Sequence, residues 1–154
     1  MRPSKHVAVS VGLTFLLSQW FSSWTALTAC FLSGIVIDFD HVWDFYAHKK
    51  RIPLRYREIT DFCENAPLKK LYLILHAYEL LLILWWAIAY FQLNEVWIST
   101  AAGLTVHLFF DQFTNPLKPL GYFIIYRFIN NFDAERILKF KYWEIKSGKH
   151  KDTF

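Results

Sequence analysis

The sequence predicts an all-α polytopic membrane protein, a four-helix transmembrane bundle with amphipathic interfacial helices. Three observations predict it. Hydrophobic residues fill 55% of the 154 positions and charged residues only 19%, against about 45–50% and 25% in an ordinary globular domain. All 17 Lys and Arg residues fall into three blocks, Arg2 to Lys5, Lys49 to Lys70 and Lys118 to Lys151, so that His6 to His48 and Leu71 to Leu117 hold no cation. Aromatic residues make up 19%, with 7 Trp and 8 Tyr suited to membrane–water interfaces. The aromatic content excludes a disordered chain, and 5 Gly with 5 Pro exclude collagen-like or low-complexity material. The net charge of +4 reads as a topology signal, and the basic blocks support no nucleic-acid module.

The elements follow in order. The apolar run Val7 to Ile37 would be ~46 Å long as one helix, too long for a single crossing of ~30 Å of hydrocarbon. Ser22-Ser23-Trp24-Thr25 divides it into two short helices, with Trp20 and Trp24 at the interface. Each half is shorter than an ideal span, so this hairpin either thins the bilayer or is shielded by the other helices. Leu71 to Leu93 reads as a full-length third span interrupted only by His76 and Glu79. After a turn at Asn94-Glu95, Val96 to Phe113 returns as the fourth, and Asn115-Pro116 ends it.

Four spans place the N-terminus, the central loop and the C-terminal segment on one side. All three basic blocks share that side, which the positive-inside bias assigns to the cytoplasm. The expected organisation is a transmembrane core over 1–116, with a cytoplasmic loop at 42–70, followed by an interfacial segment over 117–154. Pro53 and Pro67 break any long helix in the loop, and Asp44 and His48, next to Lys49 and Lys50, read as solvated. The expected location is the cytoplasmic membrane of a bacterium or archaeon, with both termini cytoplasmic.

Arg2 and Lys5 before an apolar run resemble a signal peptide, and Leu27-Thr28-Ala29-Cys30 resembles a lipoprotein cleavage box. The chain stays apolar through Cys30 to Ile37, which favours an uncleaved hairpin. The 2 cysteines, Cys30 and Cys63, lack zinc-type spacing.

The ionisable residues inside the spans carry the functional signal, since each costs ~2.5–3.5 kcal/mol at mid-helix by insertion scales. His76 and Glu79 are three apart and His107 and Asp111 four apart, each pair on one helix face. Asp38-Phe39-Asp40-His41 ends the second span, and His6 begins the first. With 1.5 Å of rise per residue, His76 and Glu79 lie ~8 and ~12 Å inside the cytoplasmic face, and Asp111 and His107 ~6 and ~12 Å. One polar layer is therefore expected at the cytoplasmic end. Its carboxylates and imidazoles suit one or two divalent ions, zinc first, with manganese or iron also compatible.

These residues resemble a known family: the LexA-regulated, YdjM-like inner-membrane proteins classed as metal-dependent hydrolases. The matches are His6, then Gly34 followed by Ile37-Asp38-Phe39-Asp40-His41, then His76, then His107-Leu108-Phe109-Phe110-Asp111-Gln112-Phe113-Thr114. Ile37 stands where the family has Pro. His76-Ala-Tyr-Glu79 replaces a motif with a second His, so either the ligand set is smaller or Glu79 takes part of its role.

The resulting expectation is an integral membrane metal-dependent hydrolase acting at the cytoplasmic leaflet on a phospholipid or a lipid-linked phosphoester. His6, Asp38, Asp40, His41, His76, His107 and Asp111 are the candidate ligands, and Glu79 the candidate general base. Membrane lipid is the expected partner. Two other readings use the same residues: a divalent-metal or proton transport component, and a non-catalytic membrane scaffold whose polar layer fixes helix packing.

Overall fold

The computed structural model describes residues 3–65 and 68–139; Arg2, Pro67 and the stretch 140–154 of the expected interfacial segment lie outside them. Among the described residues the regular structure is helical, in agreement with the predicted all-α class. In chain order the helices are α1 (Pro3–Leu17), α2 (Trp24–Val36), α3 (Phe39–Lys49), α4 (Tyr56–Asn65), α5 (Tyr78–Phe91), α6 (Glu95–Thr114), α7 (Ile124–Ile129) and α8 (Ala134–Ile137), with a 3-10 turn at Pro119–Tyr122. The chain divides into two compact units, the first of Met1–Ile37 and Tyr78–Asn115, the second of Asp38–Ala77 and Pro116–Phe154.

The first unit contains α1, α2, α5 and α6. The polar break between α1 and α2 forms where expected. Ser23 caps α2 by accepting the Ala26 N–H at 3.4 Å, which satisfies one of the open donors of a helix start. Asn94 caps α6 in the same way, accepting the Val96 N–H at 3.2 Å. At the other end of α6, Asn115 is extended, as the residue before a proline must be.

The α2–α6 contact is a seam of small residues. Ala26, Cys30 and Gly34 on α2 and Ser99, Gly103 and His107 on α6 each recur every four residues, and all are buried. A Cβ on Gly103 would meet Ser33 Oγ and the Cys30 carbonyl oxygen, and one on Gly34 would meet Ser10 Oγ. Only glycine lets the backbones approach this closely, the packing mode of helices that lack a hydrophobic drive to associate.

The outside of this unit is apolar. Phe15 and Leu16 on α1, Leu82, Ile83 and Trp86 on α5, and Phe109 and Phe113 on α6 are all exposed. A surface of that kind marks contact with something other than water. Among the described residues one stretch, Trp24–Lys49, is long and apolar enough to cross a membrane. It reaches 26 residues because α3 follows α2 after only Ile37 and Asp38. The apolar helices His6–Leu17 and Tyr78–Phe91 are shorter.

The second unit is built from α3, α4, the 3-10 turn, α7 and α8. Phe45 of α3 meets Phe62 of α4 edge to face at 5.2 Å between ring centres, and the Arg51 guanidinium lies 5.2 Å from the Phe45 ring. Backbone pairs stitch the irregular segments together. The Leu71 N–H donates to Phe132 O at 2.9 Å, the Ala134 N–H to Lys69 O at 3.1 Å, and the Lys118 N–H to Ile137 O at 2.9 Å. Tyr122, assigned by its type to an interfacial belt, is instead fully buried beside a core that includes Ile137 and Leu138.

Two expectations are corrected. The predicted third span does not start at Leu71: residues 71–77 are not helical, and α5 begins at Tyr78. His76 therefore does not share a helix face with Glu79. The physical cause is competition for backbone donors. Asp44 Oδ1 accepts the Tyr72 N–H at 3.0 Å and Asp40 Oδ2 the His76 N–H at 2.9 Å, while Leu73 adopts a left-handed φ of 43°. Tertiary bonds to charged acceptors outweigh helix propensity here. The second correction is Asp44 itself, expected in solvent but 1% exposed because its carboxylate faces that backbone.

Candidate metal centre

In the first unit the fold brings together three residues from two of the predicted motifs. His6 comes from the first turns of α1, and His107 and Asp111 from successive turns of α6. All three are buried. His6 Nε2 lies 3.2 Å from Asp111 Oδ1, and His107 Nε2 lies 3.3 Å from Asp111 Oδ2. The two imidazoles stack, with centres 4.0 Å apart and planes 13° from parallel.

The His107 ring is fixed by the seam. Its Nδ1 is 2.7 Å from the Gly34 carbonyl oxygen. A carbonyl oxygen only accepts, so Nδ1 carries the proton and Nε2 of the neutral ring presents its lone pair. That lone pair points at a carboxylate oxygen, an arrangement that is repulsive unless a proton or a cation lies between them. A divalent cation between these atoms would turn the repulsion into attraction, as would a proton shared with Asp111.

The distances agree with that reading. A tetrahedral ion with bonds of about 2.0–2.2 Å holds its ligand atoms roughly 3.3–3.6 Å apart. One donor atom from each of His6, His107 and Asp111 lies within 4.8 Å of the other two. Ligating histidines usually donate their other ring nitrogen to a carbonyl or carboxylate, which is the part played by Gly34. These buried His and Asp residues could hold a metal ion.

The second unit brings together four other candidate ligands, Asp38, Asp40, His41 and His76. His76, 1% exposed, is anchored at three points. Its backbone N–H and its Nδ1 both reach Asp40 Oδ2, at 2.9 and 3.1 Å, and its carbonyl oxygen accepts from Arg127 Nη1 at 3.2 Å. Asp38 Oδ1 then lies 3.7 Å from His76 Nε2 and 3.8 Å from His41 Nε2. The His41 and His76 rings are 5.4 Å apart and tilted. Asp40 thus stands behind His76 and sets its tautomer, with Nε2 turned toward Asp38, the same logic by which Gly34 fixes His107.

The structure therefore groups His6 with His107 and Asp111, and Asp38 and Asp40 with His41 and His76. Glu79, in the first turn of α5 and half-buried, belongs to the first unit. Arg127 was missed. It is the one charged residue in the run Gly121 to Phe132, the signal that could have marked it, and it is fully buried. Asp44 was seen but assigned to solvent. Cys30 is buried and Cys63 half-buried, and neither forms a disulfide.

No family model, curated protein or solved structure matches the chain.

Proposed function

We propose that the protein is an integral membrane metal-dependent hydrolase acting at the cytoplasmic leaflet on a phospholipid or lipid-linked phosphoester. The observation that carries this reading is the His107 ring, held at Nδ1 by Gly34 with Nε2 facing the Asp111 carboxylate that His6 also meets. A buried pair of imidazoles on one carboxylate is costly as a packing device and well suited to binding a cation. The motif resemblance to the YdjM-like inner-membrane hydrolases points the same way.

In this proposal α1, α2, α5 and α6 are the four spans, arranged as two hairpins. The apolar exterior of the first unit supports membrane embedding. The turns around Ser22 and Asn94 hold no Lys or Arg, which supports placing them outside and both termini in the cytoplasm of a bacterial or archaeal cell.

His6, His107 and Asp111 would hold a divalent ion, zinc first among the candidates, while Asp38, His41 and His76 form a separate set of oxygen and nitrogen donors in the second unit. When bound, such an ion provides Lewis acidity toward an ester or phosphoryl oxygen and acidifies water to near neutral pH. Gly34 and Asp40 keep His107 and His76 in the tautomer that presents Nε2. Glu79 accepts the proton of the attacking water, and its half-buried position at the start of α5 leaves it open to exchange that proton with solvent.

The test is hydrolysis of a panel of phospholipids and polyprenyl phosphates by the purified protein in detergent, with and without added zinc or manganese. Glu79→Gln should lower the rate by ~100-fold or more, the range for loss of a general base, while leaving bound metal unchanged. Equal rates for Glu79→Gln and the wild type would remove Glu79 from that role. No metal-stimulated release from any member of the panel would overturn the hydrolase reading.

A further inference from the structure

Three of the four helices of the first unit are too short for an ordinary bilayer, and the fourth, α6, is 20 residues long but carries His107 and Asp111 in its second half. α1 has 15 residues, α2 has 13 and α5 has 14, which correspond to about 22, 20 and 21 Å of helix. The hydrocarbon of a typical membrane is ~30 Å thick. Shielding by neighbouring helices would relieve the mismatch, but Phe15, Leu82 and Phe91 are 68%, 64% and 62% exposed.

The ends of the apolar band are marked by chemistry. At the two hairpin turns Trp20, Trp24, Tyr90 and Trp97 are all exposed, the placement of an aromatic belt at a membrane–water boundary. At the opposite end lie His6, His107 and Asp111. From Glu95 to His107 and Asp111 is about 18 and 24 Å along α6, and from His6 to Leu17 about 17 Å along α1. Belt and polar cluster thus bound an apolar layer near 20 Å on two independent helices. The stretch Trp24–Lys49 does not extend that layer, because beyond Ile37 it carries Asp40, His41, Asp44, His48 and Lys49.

Resting on the membrane reading above, we propose that the first unit's partner is a thinned bilayer, one whose hydrocarbon is about 20 Å thick where it meets the protein. It recruits short-chain lipids or compresses longer ones around itself. The consequence for the site is direct. With the aromatic belt at the far boundary, the near boundary falls at the level of His6, His107 and Asp111. Lipid ester and phosphate groups then lie at the depth of the cluster without leaving the bilayer plane.

The experiment reconstitutes the full chain into phosphatidylcholine vesicles with monounsaturated chains of fourteen, eighteen or twenty-two carbons. Each is mixed with a brominated phosphatidylcholine that quenches Trp fluorescence on contact. Relative affinity for each chain length is read from the competition. The expected result is a preference of several-fold for fourteen-carbon over twenty-two-carbon lipid. An optimum at eighteen carbons or longer, or equal affinity for all three, would overturn the thin-bilayer proposal while the quenching itself kept the membrane reading intact. Absence of quenching in every mixture would overturn both.

Discussion

Asp111 meets both His6 and His107, so a single carboxylate sets the charge that the imidazoles can share. Asp40 has a different part. Its Oδ2 is engaged by the backbone N–H and the Nδ1 of His76, so it orients the His76 ring. Loss of such an orienting group typically weakens metal binding by about 10–100-fold. Asp40→Asn should do so in a chelator competition, and an affinity equal to the wild type would reduce Asp40 to a backbone anchor. The pairing of His107 with Asp111 was legible from their spacing of four, because both sit on one uninterrupted helix. The burial of Arg127 and Asp44 was not, because each answers backbone groups of residues 71–77, whose path is fixed only by long-range contacts.

Among the elements, α6 governs the site. Gly103 lets α2 approach closely, and that approach brings the Gly34 carbonyl to His107 Nδ1. Gly103→Ala would press a methyl group against Ser33 Oγ and the Cys30 carbonyl. Overpacking of that kind costs roughly 1–3 kcal/mol, so the thermal midpoint in detergent should fall and metal affinity with it. An unchanged midpoint would show that the seam can open freely. The turns at Ser22 and Asn94 and the end of α6 at Asn115 were readable from capping and proline chemistry, which acts within a few residues. The start of α5 was misread as Leu71, since LYLILHAYELLLILWW has helical composition throughout. The carboxylates of Asp40 and Asp44, together with Phe132 O and Arg127, all distant in sequence, hold its first seven residues out of the helix.

For the whole molecule, the cation-free stretches and the three basic blocks supplied an all-helical class and a reading of topology. They did not reveal that the chain divides into two units at Ile37, Ala77 and Asn115, because hydropathy reports burial and not which elements share a core. The division separates His6, His107 and Asp111 from Asp38, Asp40, His41 and His76, so each set is a distinct claim about metal. Elemental analysis of the purified protein, grown with zinc, manganese and iron supplied, tests the central claim most directly. The comparison is with His107→Ala and Asp111→Ala, each checked for retained helix by circular dichroism. The account predicts a stoichiometric divalent metal in the wild type and its loss from both helical variants. A metal-free wild type, or variants that keep the metal in full, would contradict it.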